Sequence, residues 1–409
     1  MRVLKDSSIE WIGDIPESWK ICQLKRFLSF NNGQDYKHVE SEVGFPVYGS
    51  GGIFMHSSEY LYDGEAVLFG RKGTINKPLY VNEKFWTVDT MYYAIPRKDS
   101  VAKYIYYLAT LFPYDKYQTS TALPSMTQSI LGNITICIPP KVEQRYIADF
   151  LDEKCGEIDS LIELQEKMIE KLEMYKQSVI SEAVIKGLNP NVKLVPSGID
   201  WIGEIPEGWK VSVLRRFADI ILGKMLQPNA KTKDDSLEQY ICAKDVHFEG
   251  IDITDLKKMY FNKIEKQTYQ VQKGDMLVVE GGAGAAGSCV LKTDLPNTYI
   301  QNSIMIVRPK QSIDIRYIQY FEFSLVKKGY VDYVCNKATI PHFTKDKLSS
   351  MSIPLPPLDE QQAIASFLDS KCSEIDKLID VKQQKIEKLK DYKKSVIYEA
   401  VTGKINIES

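Results

Sequence analysis

Pro139-Pro140-Lys141-Val142-Glu143-Gln144-Arg145-Tyr146-Ile147-Ala148-Asp149-Phe150-Leu151-Asp152-Glu153-Lys154-Cys155-Gly156-Glu157-Ile158-Asp159 decides the reading of this chain, because it comes back. Pro356-Pro357, Glu360-Gln361, Ile364-Ala365, Phe367-Leu368-Asp369, Lys371-Cys372 and Glu374-Ile375-Asp376 repeat it about 217 positions later, and the match runs on to Val184 and Val401. Upstream, Trp11-Ile12-Gly13-Asp14-Ile15-Pro16-Glu17-Ser18-Trp19-Lys20 returns as Trp201-Ile202-Gly203-Glu204-Ile205-Pro206-Glu207-Gly208-Trp209-Lys210, about 190 positions on. The unequal offsets insert about 27 residues between the repeated blocks of the second half. Those intervening segments share little sequence.

The order is therefore variable, constant, variable, constant, with boundaries at 1–138, 139–196, 197–355 and 356–409. In the constant blocks the apolar residues recur at helical spacing. Leu161, Ile162, Met168, Ile169, Leu172, Tyr175 and Val179 form a stripe close to a coiled-coil seam, and Ile375, Leu378, Ile379, Ile386, Leu389, Tyr392 and Val396 repeat it. Gln165 and Lys382 fall where the seam expects an apolar residue, either fixing register or lying at a wet edge. Gly187 and Gly403 mark the exits. A helix from roughly Cys155 to Val184 spans about 45 Å, and two copies can pair antiparallel. The variable segments carry strand-like runs, Ala66-Val67-Leu68-Phe69, Pro78-Leu79-Tyr80-Val81 and Met276-Leu277-Val278-Val279, and each ends in a helical patch, Lys103–Leu108 and Arg316–Phe321. The fold expected is α+β: two mixed domains separated by two long antiparallel coiled-coil helices, a pseudo-two-fold internal repeat.

Across 409 residues, 52 basic side chains meet 54 acidic ones, a net charge of −2, so no global positive field marks a nucleic-acid binder and any such role is local. Only 197–355 is slightly basic, at about 21 to 19. The seven cysteines are scattered without Cys-x-x-Cys spacing, which suits a reducing compartment and gives no metal site. No run approaches the roughly 20 apolar residues of a membrane span, and the N-terminus lacks the apolar core of a signal peptide. A soluble cytoplasmic protein is expected.

Motifs of catalysis fail one by one. Gly282-Ala283-Gly284-Ala285-Ala286-Gly287 matches G-x-G-x-x-G after a strand-like run, but Ser288-Cys289-Val290-Leu291 reads as a second strand where a dinucleotide site needs a helix. No phosphate loop of the G-x-x-x-x-G-K-[ST] type occurs. The Pro-Pro pairs lack the polar and aromatic flanks of amino-methyltransferases. His38, His56, His247 and His342 share no metal or triad spacing. No catalytic residue is expected.

Taken together, Trp-Ile-Gly-x-Ile-Pro-x-x-Trp opening each half, Phe69-Gly70-Arg71-Lys72-Gly73-Thr74-Ile75-Asn76-Lys77-Pro78 followed by Phe85-Trp86-Thr87-Val88-Asp89-Thr90, and Pro-Pro-x-x-Glu-Gln-x-x-Ile-Ala-x-Phe-Leu-Asp resemble the specificity (S) subunit of type I restriction-modification systems. The resemblance covers nearly the whole chain. It implies two target recognition domains, 1–138 and 197–355, each reading half of a bipartite double-stranded DNA site, with the helices of 139–196 and 356–409 setting the spacer. It implies two modification (methyltransferase) subunits bearing S-adenosylmethionine and flipping out the target adenine. Two restriction (translocase and endonuclease) subunits would use ATP and Mg, and no cofactor is expected on this chain. The alternative is a tandem-repeat protein–protein adaptor without DNA binding.

Candidate DNA contacts in the first half are Arg71, Lys72, Thr74, Asn76 and Lys77 of the glycine-flanked loop, with Ser120, Thr121 and Ser125 of a polar loop. In the second half they are Gly282, Gly284, Asn336, Lys337, Thr339 and His342, and the counterpart of Gly70-Arg71-Lys72-Gly73 reads as an uncharged glycine run. Thr127 and Thr344 serve equally as helix caps. Candidate partner-binding positions on the helices are Gln165, Met168, Leu172, Tyr175, Lys382, Lys385, Leu389 and Tyr392. Tyr104, Tyr106, Tyr107, Tyr317 and Tyr320 read as core, and Trp11, Trp19, Trp201 and Trp209 as anchors of each domain to the helices.

Overall fold

Proline lacks an amide donor and pushes the preceding residue out of the α region, so a helix cannot begin before a Pro-Pro pair and is free to begin after it. A computed structural model, which describes residues 3–118, 123–282, 284–310, 312–335 and 342–407, has its two long helices there, at Lys141–Lys186 and Leu358–Val401. The first has 46 residues, about 69 Å at 1.5 Å per residue. It starts at Lys141 rather than near Cys155. The seam periodicity hid its first turns, because Ile147, Ala148, Leu151 and Cys155 face a domain core and not the other helix. Both helices stop at glycines in the left-handed region, Gly187 (φ +75°) and Gly403 (φ +72°). A Cβ on Gly403 would lie 2.5 Å from Pro16 and 3.0 Å from Trp19.

The chain divides into two units, Met1–Lys167 with Lys382–Ser409, and Met168–Val381. In the first, a seven-stranded sheet runs in the order Leu28–Asn32, Met91–Pro96, Tyr62–Gly70, Leu79–Thr87, Phe45–Gly49, Gly52–Ser57, Glu40–Ser41. Strand alternation sends Val67, Phe69, Tyr92 and Ala94 toward the helix Ala102–Ala109 and Ala66, Leu68 and Met91 into a second cluster with Phe85 and Trp86. Burial on both faces explains why Ala66–Phe69 is uninterruptedly apolar.

In the second unit a four-stranded sheet has the order Ala218–Leu222, Ile304–Pro309, Met276–Val279, Ser288–Val290. Met276, Val278, Met305 and Val307 face the helix Ile315–Lys327, while Leu277, Val279, Ile304 and Ile306 line the opposite cluster. A separate three-stranded sheet has the order Lys257–Phe261, Ser236–Ile241, Thr298–Ile300, the last two strands parallel.

Within each unit the two long-helix segments run antiparallel. Lys393 holds Asp159 (2.7 and 2.6 Å) in the first unit, and Lys176 holds Asp376 (2.7 and 2.9 Å) in the second. Gln165 is 4% exposed and accepts from Lys382 Nζ at 3.3 Å, which places it in the seam and not at a wet edge. Leu161, Met168, Tyr175, Leu378 and Tyr392 are exposed instead of buried in the seam. The reason is that a helix pair buries a narrower stripe than a bundle helix does. Among the described residues, no helix is long and apolar enough to cross a membrane.

Candidate nucleic-acid interface

Each domain is clasped to the long helices by side chains at matching places in the repeat. The Trp19 indole donates to Glu143 (3.2 Å), and Trp209 donates to Glu360 (3.0 Å). Gln144, almost fully buried, accepts from the Val101 amide and donates to the Pro139 carbonyl; Gln361 accepts from the Asp314 amide and donates to the Pro356 carbonyl. Asp152 takes Tyr107 (2.8 Å) and Lys103, while Asp369 takes Tyr320 (2.9 Å) and Arg316 (2.8 Å). The buried Tyr104 hydroxyl lies within bonding distance of the Cys137 and Val401 carbonyls, as Tyr317 does with Pro354 and Val184. Burial, then the neighbouring carboxylate, holds the Tyr107 and Tyr320 phenols far above their usual range. These tyrosines are core and clasp, with Tyr106 only half-buried. Of the tryptophans, Trp19 and Trp209 reach the helices by hydrogen bond. Trp11 instead meets Phe112 edge-on (5.8 Å), and Trp201 meets Tyr330 (5.4 Å) and Tyr333 (5.6 Å).

Clasped this way, each sheet presents one end of its strands as a rim of loops. In the first unit the rim follows Gly70. The Arg71 amide donates to Thr90 O (2.8 Å), the Met126 amide donates to Arg71 O (3.0 Å), Lys72 pairs with Ser125 as an antiparallel bridge, and Gly73 turns at φ +80°. So the loop of Arg71, Lys72, Thr74, Asn76 and Lys77 and the segment at Ser125 meet. Lys72, Asn76 and Lys77 are exposed, and Arg71 is half-buried, 6.0 Å from the Tyr92 ring centre with Nη1 3.4 Å from the Asp89 carbonyl.

The second unit builds the same frame after Val279. The Glu280 amide donates to Ser303 O (2.8 Å), the Phe343 amide donates to Glu280 O (2.6 Å), Gly281 pairs with His342, and Gly282 turns at φ +92°. The counterpart of Arg71 is therefore Glu280, which corrects the expectation of an uncharged run. The glycine-rich composition conceals it in the sequence, and the shared left-handed turn of Gly73 and Gly282 brings it out in the structure. Gly282, Gly284 and exposed His342 lie on this rim. The glycine-rich stretch joins the antiparallel strands Met276–Val279 and Ser288–Val290, and among the described residues no helix opens in it, as a pyrophosphate cradle would need. Ser120, Thr121, Asn336, Lys337 and Thr339 lie outside the described residues. Thr127 caps the short helix Gln128–Gly132, accepting from the Ile130 amide at 3.2 Å, whereas Thr344 makes no side-chain cap bond.

Beneath the second rim lies a buried acid. Glu322 accepts from the Ser288 hydroxyl (2.5 Å), and its Oε1 has no hydrogen-bond partner among the described residues. Burial pushes its carboxyl up to about 8.

On the helices, Met168, Tyr175, Lys385 and Tyr392 are exposed, Leu172, Lys382 and Leu389 are half-buried, and Gln165 is buried in the seam.

The profile of the type I restriction modification DNA specificity domain matches residues 16–174 and again 206–391. The chain belongs to that family. It is similar to the type I restriction enzyme MjaVIII specificity subunit of Methanocaldococcus jannaschii, 26% identical, across 97% of this chain and 95% of the relative. It is 19% identical to the EcoBI specificity subunit of Escherichia coli, across 100% of this chain and 90% of that one. In fold it matches a chain from a study of complex assembly and conformational transition of the type I R-M system, with TM-score 0.72, 16% identity and coverage of 96% and 99%. It also matches the HsdS subunit from Thermoanaerobacter tengcongensis, with TM-score 0.51, 17% identity and coverage of 96% and 98%. Two matches of one specificity-domain profile fit a DNA reader and lend nothing to the adaptor alternative.

Proposed function

We propose that this chain is the non-catalytic, sequence-reading subunit of a type I restriction-modification complex in the cytoplasm. Residues 1–138 and 197–355 serve as target recognition domains, each reading one half of a bipartite, asymmetric duplex site. Regions 139–196 and 356–409 set the spacer and dock two modification subunits, with exposed Tyr175 and Tyr392 at equivalent places on the two helices. S-adenosylmethionine sits on the modification subunits, which flip and methylate adenine. Two restriction subunits add ATP- and Mg-dependent translocation and cleavage.

The observation that carries this reading is one loop frame built twice with different side chains on it. A protein reading two unlike half-sites needs a constant scaffold and variable readers. With a net charge of −2, phosphate contact falls to local groups such as Lys72 and Lys77 and to the partners. Co-expression with the modification subunit in a host lacking other adenine methylases, followed by single-molecule detection of N6-methyladenine, tests it. One bipartite motif with a fixed gap, methylated on both strands, is the expected result. No methylation from a stable complex overturns it.

A further inference from the structure

We propose that Glu280 is a specificity-determining residue of the second recognition domain, accepting a hydrogen bond from the exocyclic amino group of a base in the major groove. The inference rests on the DNA-reading role proposed above and goes beyond it to one residue and one chemical group.

Four backbone features fix Glu280 in the place of Arg71: an amide bonded to the residue before the neighbouring strand, a carbonyl bonded to the segment leading into a short helix, an antiparallel bridge at the next residue, and a left-handed glycine one further on. The frame is the same and the charge is opposite. A guanidinium there finds acceptors, guanine O6 and N7, or phosphate. A carboxylate finds only donors, and the major groove offers them at cytosine N4 and adenine N6.

Electrostatics makes the carboxylate a discriminator. Against a polyanion it is repelled everywhere except where an N–H donor meets it, so it penalises base pairs that turn O4 or O6 toward it. Glu280 is half-buried and, among the described residues, enters no ion pair that would satisfy it beforehand. Its main chain is held on both sides while its side chain is held by none of the described groups.

The test uses the assembled modification complex, comparing the methylated motifs of the wild type, Glu280→Ala, Glu280→Gln and Arg71→Ala. Glu280→Ala is expected to relax one position in one half-site, reducing discrimination there roughly ten- to hundredfold, while the other half and the gap are unchanged. Arg71→Ala leaves that position untouched. Glu280→Gln separates the two amino groups: its amide matches adenine N6 and N7 together, so an adenine is read as well as before, whereas a cytosine, whose N4 then meets an uncharged acceptor only, is read more weakly. Unchanged specificity at every position overturns the proposal, and so does a uniform loss of methylation with no position relaxed, which marks a structural role. If the wild-type complex methylates no bipartite motif, the reading beneath fails first and takes this inference with it.

Discussion

Lys382 Nζ lies 3.3 Å from Gln165 Oε1, and the two residues occupy the same position of the repeat, 217 residues apart in sequence. An antiparallel pairing of a helix with its own copy must bring one position against itself. Two glutamines would suffice there, and two lysines would repel. The sequence has one of each.

Gln165→Leu strands the Lys382 amine in the seam and is expected to cost about 1–3 kcal/mol, read as a lower thermal midpoint. The double variant Gln165→Leu, Lys382→Leu recovers most of it, because removing both partners leaves no orphan. A double variant no more stable than the single shows that the contact contributes nothing.

Glu322 predicts a pH dependence. Its folded pKa, raised by burial to about 8, exceeds that of a carboxyl in the unfolded chain. Its contribution is therefore full below the ordinary carboxylate range and is lost as pH rises toward about 8. Thermal unfolding of the second unit should fall over that window, and Glu322→Gln should flatten the fall. A parallel pH profile in the variant removes Glu322 as its source.

Tyr317→Phe removes the donor facing the Val184 and Pro354 carbonyls, and Tyr104→Phe does the same at Val401 and Cys137. Each should destabilise its own unit by about 1–3 kcal/mol. Hydrogen exchange should quicken at the last turn of the helix ending near Lys186 in the first case and near Val401 in the second. Equal quickening at both ends in either variant contradicts a local clasp.

Arg71→Ala should weaken methylation and relax one position in the half-site that Glu280 variants leave intact. A uniform loss across all sequences would assign Arg71 to phosphate instead, with a shallower salt dependence.

Deleting one turn, about 5.4 Å, from both long helices should shorten the accepted gap by one or two base pairs, read from the methylated motif. An unchanged gap removes the helices as the ruler.

Much of this was legible in the sequence because the repeat is written in residues that do one thing. Gly187 and Gly403 mark helix stops, and Gln165 stands out in an apolar stripe. The start at Lys141 is hidden in the sequence because one helix carries two stripes in succession, one facing a domain and one facing its mate. The Glu-Gln pair repeats plainly, yet the roles of Gln144 and Gln361 were hidden, since their partners Val101 and Asp314 sit in segments without similarity. Glu280 is hidden for a related reason: its place is defined by backbone bonds between distant segments, which leave no pattern in the chain.

The doubled clasp also bears on how such a protein changes over generations. Trp, Glu, Gln and Asp of the clasp lie in the repeated stretches, and a tyrosine and a basic residue complete it from a helix that both variable segments carry. Foreign coding sequence inserted between the repeats would meet an intact clasp wherever it supplies that helix. New binding preferences are then open to whole-segment exchange, with the crossovers falling in coding sequence that the gene already holds twice.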